Sequence, residues 1–269
     1  MLGKRLLSAA VLIPIVITAA IVGGWAITGL VVLLAGISAW ELWRMFTTGG
    51  FRPSVVLLVA GTIVIIFVRA YFSNDIFAGV LGFFILAAVA WHTYRYEKGI
   101  ETSATDFCIT VGGILYLGLL GSYIVSLRNI PETGLWWTLL SLPAIAFADT
   151  GAYFIGRAFG KHKMMPRVSP KKSWEGYLGG IVVSCILTPL LALLLHLYCA
   201  QVTWLKGLIL AVVLAMLAPM GDFAESMLKR QFNIKDSSNL IPGHGGAFDR
   251  IDSYLWTGIL AYYLITIFF

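Results

Sequence analysis

Between Ser226 and Asp252 the chain reads Ser226-Met-Leu-Lys229-Arg230, then Lys235-Asp236, then Pro242-Gly243-His244-Gly245-Gly246-Ala247-Phe248-Asp249-Arg250-Ile251-Asp252. Asp222 and Glu225 stand just upstream, at the end of a long apolar run. Carboxylates therefore bracket a polar, glycine-bearing loop that also carries cations. Carboxylate oxygens suit Mg²⁺ and other hard ions, and Mg²⁺ completes its shell with substrate phosphates. Asp222, Glu225 and Lys229 are three and four residues apart, which places them on one helix face. Asp249 and Asp252 share another face, in the first turn of the next helix, whose positive end favours ionised acids. The stretch reads as a metal and phosphate site at a membrane surface. For any single acid the plainer reading is an interfacial carboxylate or a salt bridge to Lys229 or Arg250.

Two other stretches carry comparable chemistry. Asp149 lies in Asp149-Thr150-Gly151-Ala152-Tyr153, well inside an apolar run, with Gly156 and Gly160 beyond it. An acid at such depth costs about 2.5–3.5 kcal/mol on insertion scales, so it marks a functional position more often than not. The glycines allow close helix packing. From Lys161 to Glu175 a basic loop contains Ser169, Lys171, Lys172 and Ser173 just before a helix start. It either obeys topology and touches anionic headgroups, or clamps a polyphosphate at a helix N-terminus. His244 fits a turn-stabilising hydrogen bond better than proton transfer. His92, His162 and His196 are scattered.

The elements that must position these groups follow from composition. The chain is 59% hydrophobic and 12% charged, against about 25% charged in soluble domains. An ordinary soluble domain is excluded. The expected fold is all-α and polytopic, with about nine transmembrane helices near 6–23, 25–46, 54–72, 76–93, 107–127, 135–157, 176–198, 204–228 and 253–269. The first is read as a span rather than a signal peptide, because its apolar run exceeds the usual h-region. Gly23-Gly24, Gly49-Gly50, Ser73-Asn74-Asp75 and Pro131-Glu132-Thr133-Gly134 punctuate the spans, while Trp25, Trp136, Trp137 and Trp204 fall at span ends suited to the headgroup layer. Arg69 is the awkward charge, inside a span.

With the N-terminus in the cytosol, nearly all lysines and arginines fall on the cytosolic side, leaving Arg69, Arg128 and Lys206 on or near the other. That asymmetry is the positive-inside rule, and it makes the net charge of +6 a topology signal first. Residues 1–106 read as a scaffold of about four helices, and 107–269 as a catalytic region of about five, with cytosolic loops 158–175 and 229–250. A rise of about 1.5 Å per residue brings Asp149, Asp222, Asp249 and Asp252 to the cytosolic third of the bilayer. Cys108, Cys185 and Cys199 fit no metal spacing. No internal repeat supports a transporter of inverted halves.

The order Ser226-x-x-Lys229-Arg230-x4-Lys235-Asp236, followed by Pro242-x-His244-Gly245-Gly246-x-x-Asp249-Arg250-x-Asp252, resembles the signature of phosphatidate cytidylyltransferases (CDP-diacylglycerol synthases). Asp149-Thr150-Gly151-Ala152-Tyr153 and Ser169-Pro170-Lys171-Lys172-Ser173-Trp174-Glu175-Gly176 are similar to that family's other shared blocks. Ser173 stands where threonine is usual, which keeps the hydroxyl, and Ala247 where a larger apolar residue is usual, which loosens packing behind the glycine turn. The resemblance implies CTP plus phosphatidate going to CDP-diacylglycerol plus pyrophosphate, with Mg²⁺ and an optional second cation, at the cytosolic face of a bacterial inner membrane.

It further implies catalytic roles for Asp222, Asp249, Lys229 and Arg230. Asp222 and Asp249 are expected to hold the metal, with Asp149, Glu225 and Asp252 as further ligands or behind them. Ser169, Lys171, Lys172, Ser173, Lys235, Asp236, His244 and Arg250 are expected to bind substrate. CTP, phosphatidate and membrane lipids are the expected partners, nucleic acid is not, and a homodimer stays open. A cation-coupled transporter, or a polyprenol kinase using CTP, would share the acids and basic loops.

Overall fold

The computed structural model describes residues 2–238, 240 and 245–269, with side chains from residue 10 onward. His244, Pro242 and Gly243, named above, lie outside the described residues. The helices run α1 Leu2–Val22, α2 Gly24–Thr48, α3 Val55–Tyr71, α4 Asn74–Glu97, α5 Ser103–Gly113, a π-helical segment Ile114–Leu119 and α6 Leu120–Arg128. They continue with α7 Gly134–Phe159, α8 Trp174–His196, α9 Trp204–Leu217, α10 Pro219–Gln231 and α11 Phe248–Phe268.

Among the described residues seven helices are long and apolar enough to cross a membrane, and the protein is an all-α polytopic membrane protein. The expected spans 6–23 and 54–72 fall on shorter apolar helices, Ala10–Val22 and Val55–Tyr71. The 17 residues of α3 rise about 26 Å, just short of about 30 Å of hydrocarbon. Glycine turns and hydroxyl caps delimit the helices as the punctuation suggested. Gly50 takes φ +90° after α2, and the Ser54, Ser73 and Thr203 hydroxyls accept from Leu57, Ile76 and Lys206 amides at 3.4–3.5 Å. Such caps satisfy donors that a helix start leaves open.

The chain divides into two compact units. One comprises Met1–Ser126 and Leu228–Ile251; the other comprises Leu127–Met227 and Asp252–Phe269. In the first, Ile65, Phe84 and Ile114 form a buried cluster against Leu57, Val64 and Phe77. Arg69 is accommodated in the last turn of α3, where it donates to Ser126 Oγ at 3.1 Å and Asn74 Oδ1 at 2.9 Å and lies over the Phe77 and Tyr123 rings. Phe232, just beyond α10, packs edge-on against Phe46 and Phe51, over Gly49, whose missing side chain leaves room for the ring.

In the second unit Leu140, Ala144, Ile145, Leu210, Leu214 and Ala261 form a dry core. Trp137, expected in the headgroup layer, is 1% exposed inside that core. Its ring packs on Phe269 and is capped by the Lys206 ammonium. Helices α7 and α8 meet through small residues: a Cβ on Gly180 would strike the Ala148 carbonyl, and one on Gly151 would crowd Val183. Leu178, Val182, Ile186, Leu190 and Leu194 are exposed along α8, the apolar outer surface a lipid-facing helix presents.

Residues 158–175, expected as a loop, contain a β-hairpin. Strand β1 Lys163–Met165 pairs antiparallel with β2 Ser169–Ser173. Glu175 closes its base, accepting from the Lys161 and His162 amides and meeting His162 Nδ1 at 2.6 Å. Pro166 and Pro170 did not suggest a strand, yet a two-stranded ribbon has free edges where proline is tolerated.

Candidate metal centre and loop cradle

In the second unit, α10 begins at a break. Pro219 lacks an amide hydrogen, so α9 cannot run on unbroken, and Tyr177 Oη bonds the neighbouring Met216 carbonyl at 2.9 Å. Gly221 then lies so close to the Asp252 carbonyl of α11 that any side chain would collide with it. This close approach sets the acids of the two helices together. Asp222, Glu225 and Asp252 each offer a carboxylate oxygen within 4.8 Å of the others. Glu225 is 1% exposed and Asp252 8%, so solvent does little to screen their repulsion. Asp149 of α7 is close enough to act electrostatically on Asp252.

Counter-charge comes from the hairpin: Lys172 Nζ lies 2.5 Å from Asp222 Oδ2 and 4.6 Å above the Phe223 ring. Ser226 Oγ donates to Asp222 Oδ1 at 3.0 Å. Lys172 offsets part of the charge of these three buried or half-buried carboxylates. An all-oxygen donor set of this kind fits Mg²⁺, which binds through one or two carboxylates and leaves positions for phosphate oxygens. The three-acid grouping brings together Asp222, Glu225 and Asp252, all expected at or behind the metal.

In the first unit the residues around the glycine loop form a cradle. Asp249 Oδ1 meets Lys229 Nζ at 2.5 Å, and both side chains are buried. Its Oδ2 accepts from the Ser237 amide at 3.0 Å, Ser237 Oγ at 2.8 Å and the Gly246 amide at 2.8 Å. Asp249, expected beside Asp222 as a metal ligand, is therefore engaged on both oxygens by protein donors. Lys229, expected to hold phosphate, gives one of its three protons to this carboxylate.

Other expected residues separate into two kinds. Lys171, Lys235, Asp236, Arg230 and Arg250 are exposed, and Ser169 is half-buried on β2. Ser173 is 3% exposed, and its Oγ accepts the Gly176 amide at 3.2 Å as the N-cap of α8. The hydroxyl oxygen therefore has a local role at this helix start. Ser173→Ala should cost about 1 kcal/mol, as cap losses do, seen as a lower thermal midpoint in detergent. An unchanged midpoint would return the hydroxyl to substrate binding. Ala247 is 2% exposed, so the departure at that position is fully enclosed.

Glu41 was missed. It sits on α2, fully buried, in the half of the chain read as scaffold. Its oxygens accept from Ser237 Oγ, Ser238 Oγ, the Ala247 amide and the Phe248 amide. The available signal was a carboxylate within an apolar helix, which by default marks function.

Comparison with known proteins identifies the family of the chain. A family model described as "Cytidylyltransferase family" matches residues 3–268. A Bacillus subtilis protein named phosphatidate cytidylyltransferase is 37% identical over 160 residues, which is 60% of this chain and 58% of that protein, less than two thirds of its length. A Synechocystis sp. protein of the same name is 30% identical over 298 residues, covering 98% of this chain and 96% of its own. A Mycobacterium bovis protein, again so named, is 29% identical over 83% of this chain and 74% of its own.

Proposed function

Because the chain belongs to the cytidylyltransferase family, we propose that it transfers the cytidylyl group of CTP to phosphatidate, giving CDP-diacylglycerol and pyrophosphate. The observation that carries this reading is the grouping of Asp222, Glu225 and Asp252 with Lys172 set on Asp222. In the reaction a phosphate oxygen of the lipid forms a bond to the α-phosphorus of CTP. The bond from that phosphorus to the bridging oxygen breaks, and pyrophosphate leaves with the electron pair. The attacking oxygen is already ionised at neutral pH, so the protein needs to position two anions and stabilise charge rather than remove a proton.

Asp222, Glu225 and Asp252 would hold Mg²⁺, with Asp149 adding to the field. When bound, the ion draws charge from the phosphate oxygens and orients them. Lys172 stands beside the acids where a triphosphate held there would reach it, and Lys171 and Ser169 lie on the same strand. Lys229, Arg230, Lys235 and Arg250 would take phosphate of CTP or lipid. Bacterial relatives and the crowding of basic residues on one side support an inner-membrane location with the site facing the cytosol.

The test is pyrophosphate release from CTP by purified protein with phosphatidate micelles, with the lipid product identified by mass. CDP-diacylglycerol in equal amount to pyrophosphate, lost on chelation and restored by Mg²⁺, is expected. An intact sample releasing no pyrophosphate would overturn the reading and turn attention to cation transport.

A further inference from the structure

Glu41 and the chain around the glycine loop meet in a geometry that the reaction chemistry above does not use. Oε1 accepts from Ser238 Oγ at 2.5 Å and the Ala247 amide at 3.1 Å. Oε2 accepts from Ser237 Oγ at 2.9 Å and the Phe248 amide at 2.8 Å. One carboxylate thus ties Ser237-Ser238, which precede the loop, to Ala247-Phe248, which follow it. The second pair carries the first open amides of α11, where a helix start favours an anion. Gly246 lies against the same group: a Cβ there would run into Ser237 Oγ and Glu41 Oε1. Ser237, whose single hydroxyl proton lies between Glu41 and Asp249, also donates its backbone amide to Asp249 Oδ2 at 3.0 Å, and Asp249 holds Lys229. The chain of bonds therefore runs from Glu41 through Ser237 to Asp249 and Lys229.

We propose that Glu41 is a positioning residue of the reaction, setting the Lys229–Asp249 pair through Ser237 and the start of α11. This rests on the cytidylyltransferase reading for its catalytic consequence. The role requires a carboxylate rather than a polar group of the same shape. Each oxygen faces a backbone amide, and an amide only donates. Glutamine would place its own N–H₂ against one of them and leave that buried donor without an acceptor.

The test compares wild type, Glu41→Gln and Glu41→Asp in detergent, checked by size exclusion and thermal melting. The measurements are kcat and KM for CTP on phosphatidate micelles, and amide hydrogen exchange over residues 246–249. Glu41→Gln is expected to remain folded with exchange in that stretch about tenfold faster. Its kcat should fall at least about thirtyfold, with KM for CTP within about threefold of wild type. Glu41→Asp, which keeps the charge, should recover part of kcat. A folded Glu41→Gln with wild-type kcat overturns the proposal, as does a loss that vanishes when rates are expressed per folded molecule. If Glu41→Gln does not fold, Ser238→Ala carries the test, since it removes one bond to the carboxylate. A fall in its kcat of at least about threefold supports the proposal, and an unchanged kcat overturns it. Wild-type protein that makes no CDP-diacylglycerol would instead overturn the reading of function, and the exchange difference would then decide the positioning role alone.

Discussion

Replacing Asp252 by asparagine is expected to cut kcat at least about a hundredfold, in line with the loss of one electrostatic contact to a developing charge, while leaving the cation-free protein no less stable. The two halves of this expectation have one cause. Asp252 is 8% exposed, beside Asp222 and a Glu225 that is 1% exposed. Without a cation the three repel one another, so removing a charge relieves strain in the fold. The Asp252 Oδ1 that accepts the Ser253 amide at 2.7 Å is kept by asparagine. With a cation the same substitution removes attraction. Mg²⁺ should therefore raise the melting temperature of wild type, as a ligand of the folded state does, and raise it far less in Asp252→Asn. A variant that melts lower without Mg²⁺ and still gains normally from it would place Asp252 in the packing and out of the metal site.

Much of this grouping was legible because helices obey simple periods. Asp222, Glu225 and Lys229 had to share a face. Spacing could not show which acids meet. That depends on Gly221 riding on the Asp252 carbonyl, a single tertiary approach that carries no periodic signal. Asp249 shows the same limit from the other side. Its spacing from Asp252 gave no sign of its partners Lys229, Ser237 and Gly246. The fold was read well where hydropathy and turn residues govern it. It was read poorly at the hairpin, whose pairing is held by Glu175 across 13 residues. Glu41 was the hardest to see, since its partners lie as many as 207 residues away.

The Lys229–Asp249 pair gives the second large effect, and a double-mutant cycle separates its structural from its chemical part. The two side chains are 11% and 7% exposed. Removing one member of a buried pair leaves the other charge without compensation, at a cost of about 3–5 kcal/mol. Lys229→Met should thus melt well below wild type, because Asp249 keeps its negative charge and loses the Lys229 ammonium bonded to it. Asp249→Asn should also melt lower, since Lys229 remains charged in the same place. Joining the two removes both charges at once, and the double variant should melt above either single variant, with a coupling of about 1–3 kcal/mol. Activity should not follow stability. Lys229 supplies a positive ammonium that attracts a phosphate oxygen, and methionine supplies none. The double variant is therefore expected to be restored in fold and still reduced at least about a hundredfold in kcat/KM. If kcat/KM recovers together with the melting temperature, the pair holds the protein together and the phosphate contact belongs to Arg230, Lys235 or Arg250. If stability recovers alone, Lys229 has a chemical duty beyond its partner, which is why a buried lysine is kept where two neutral residues would fold as well.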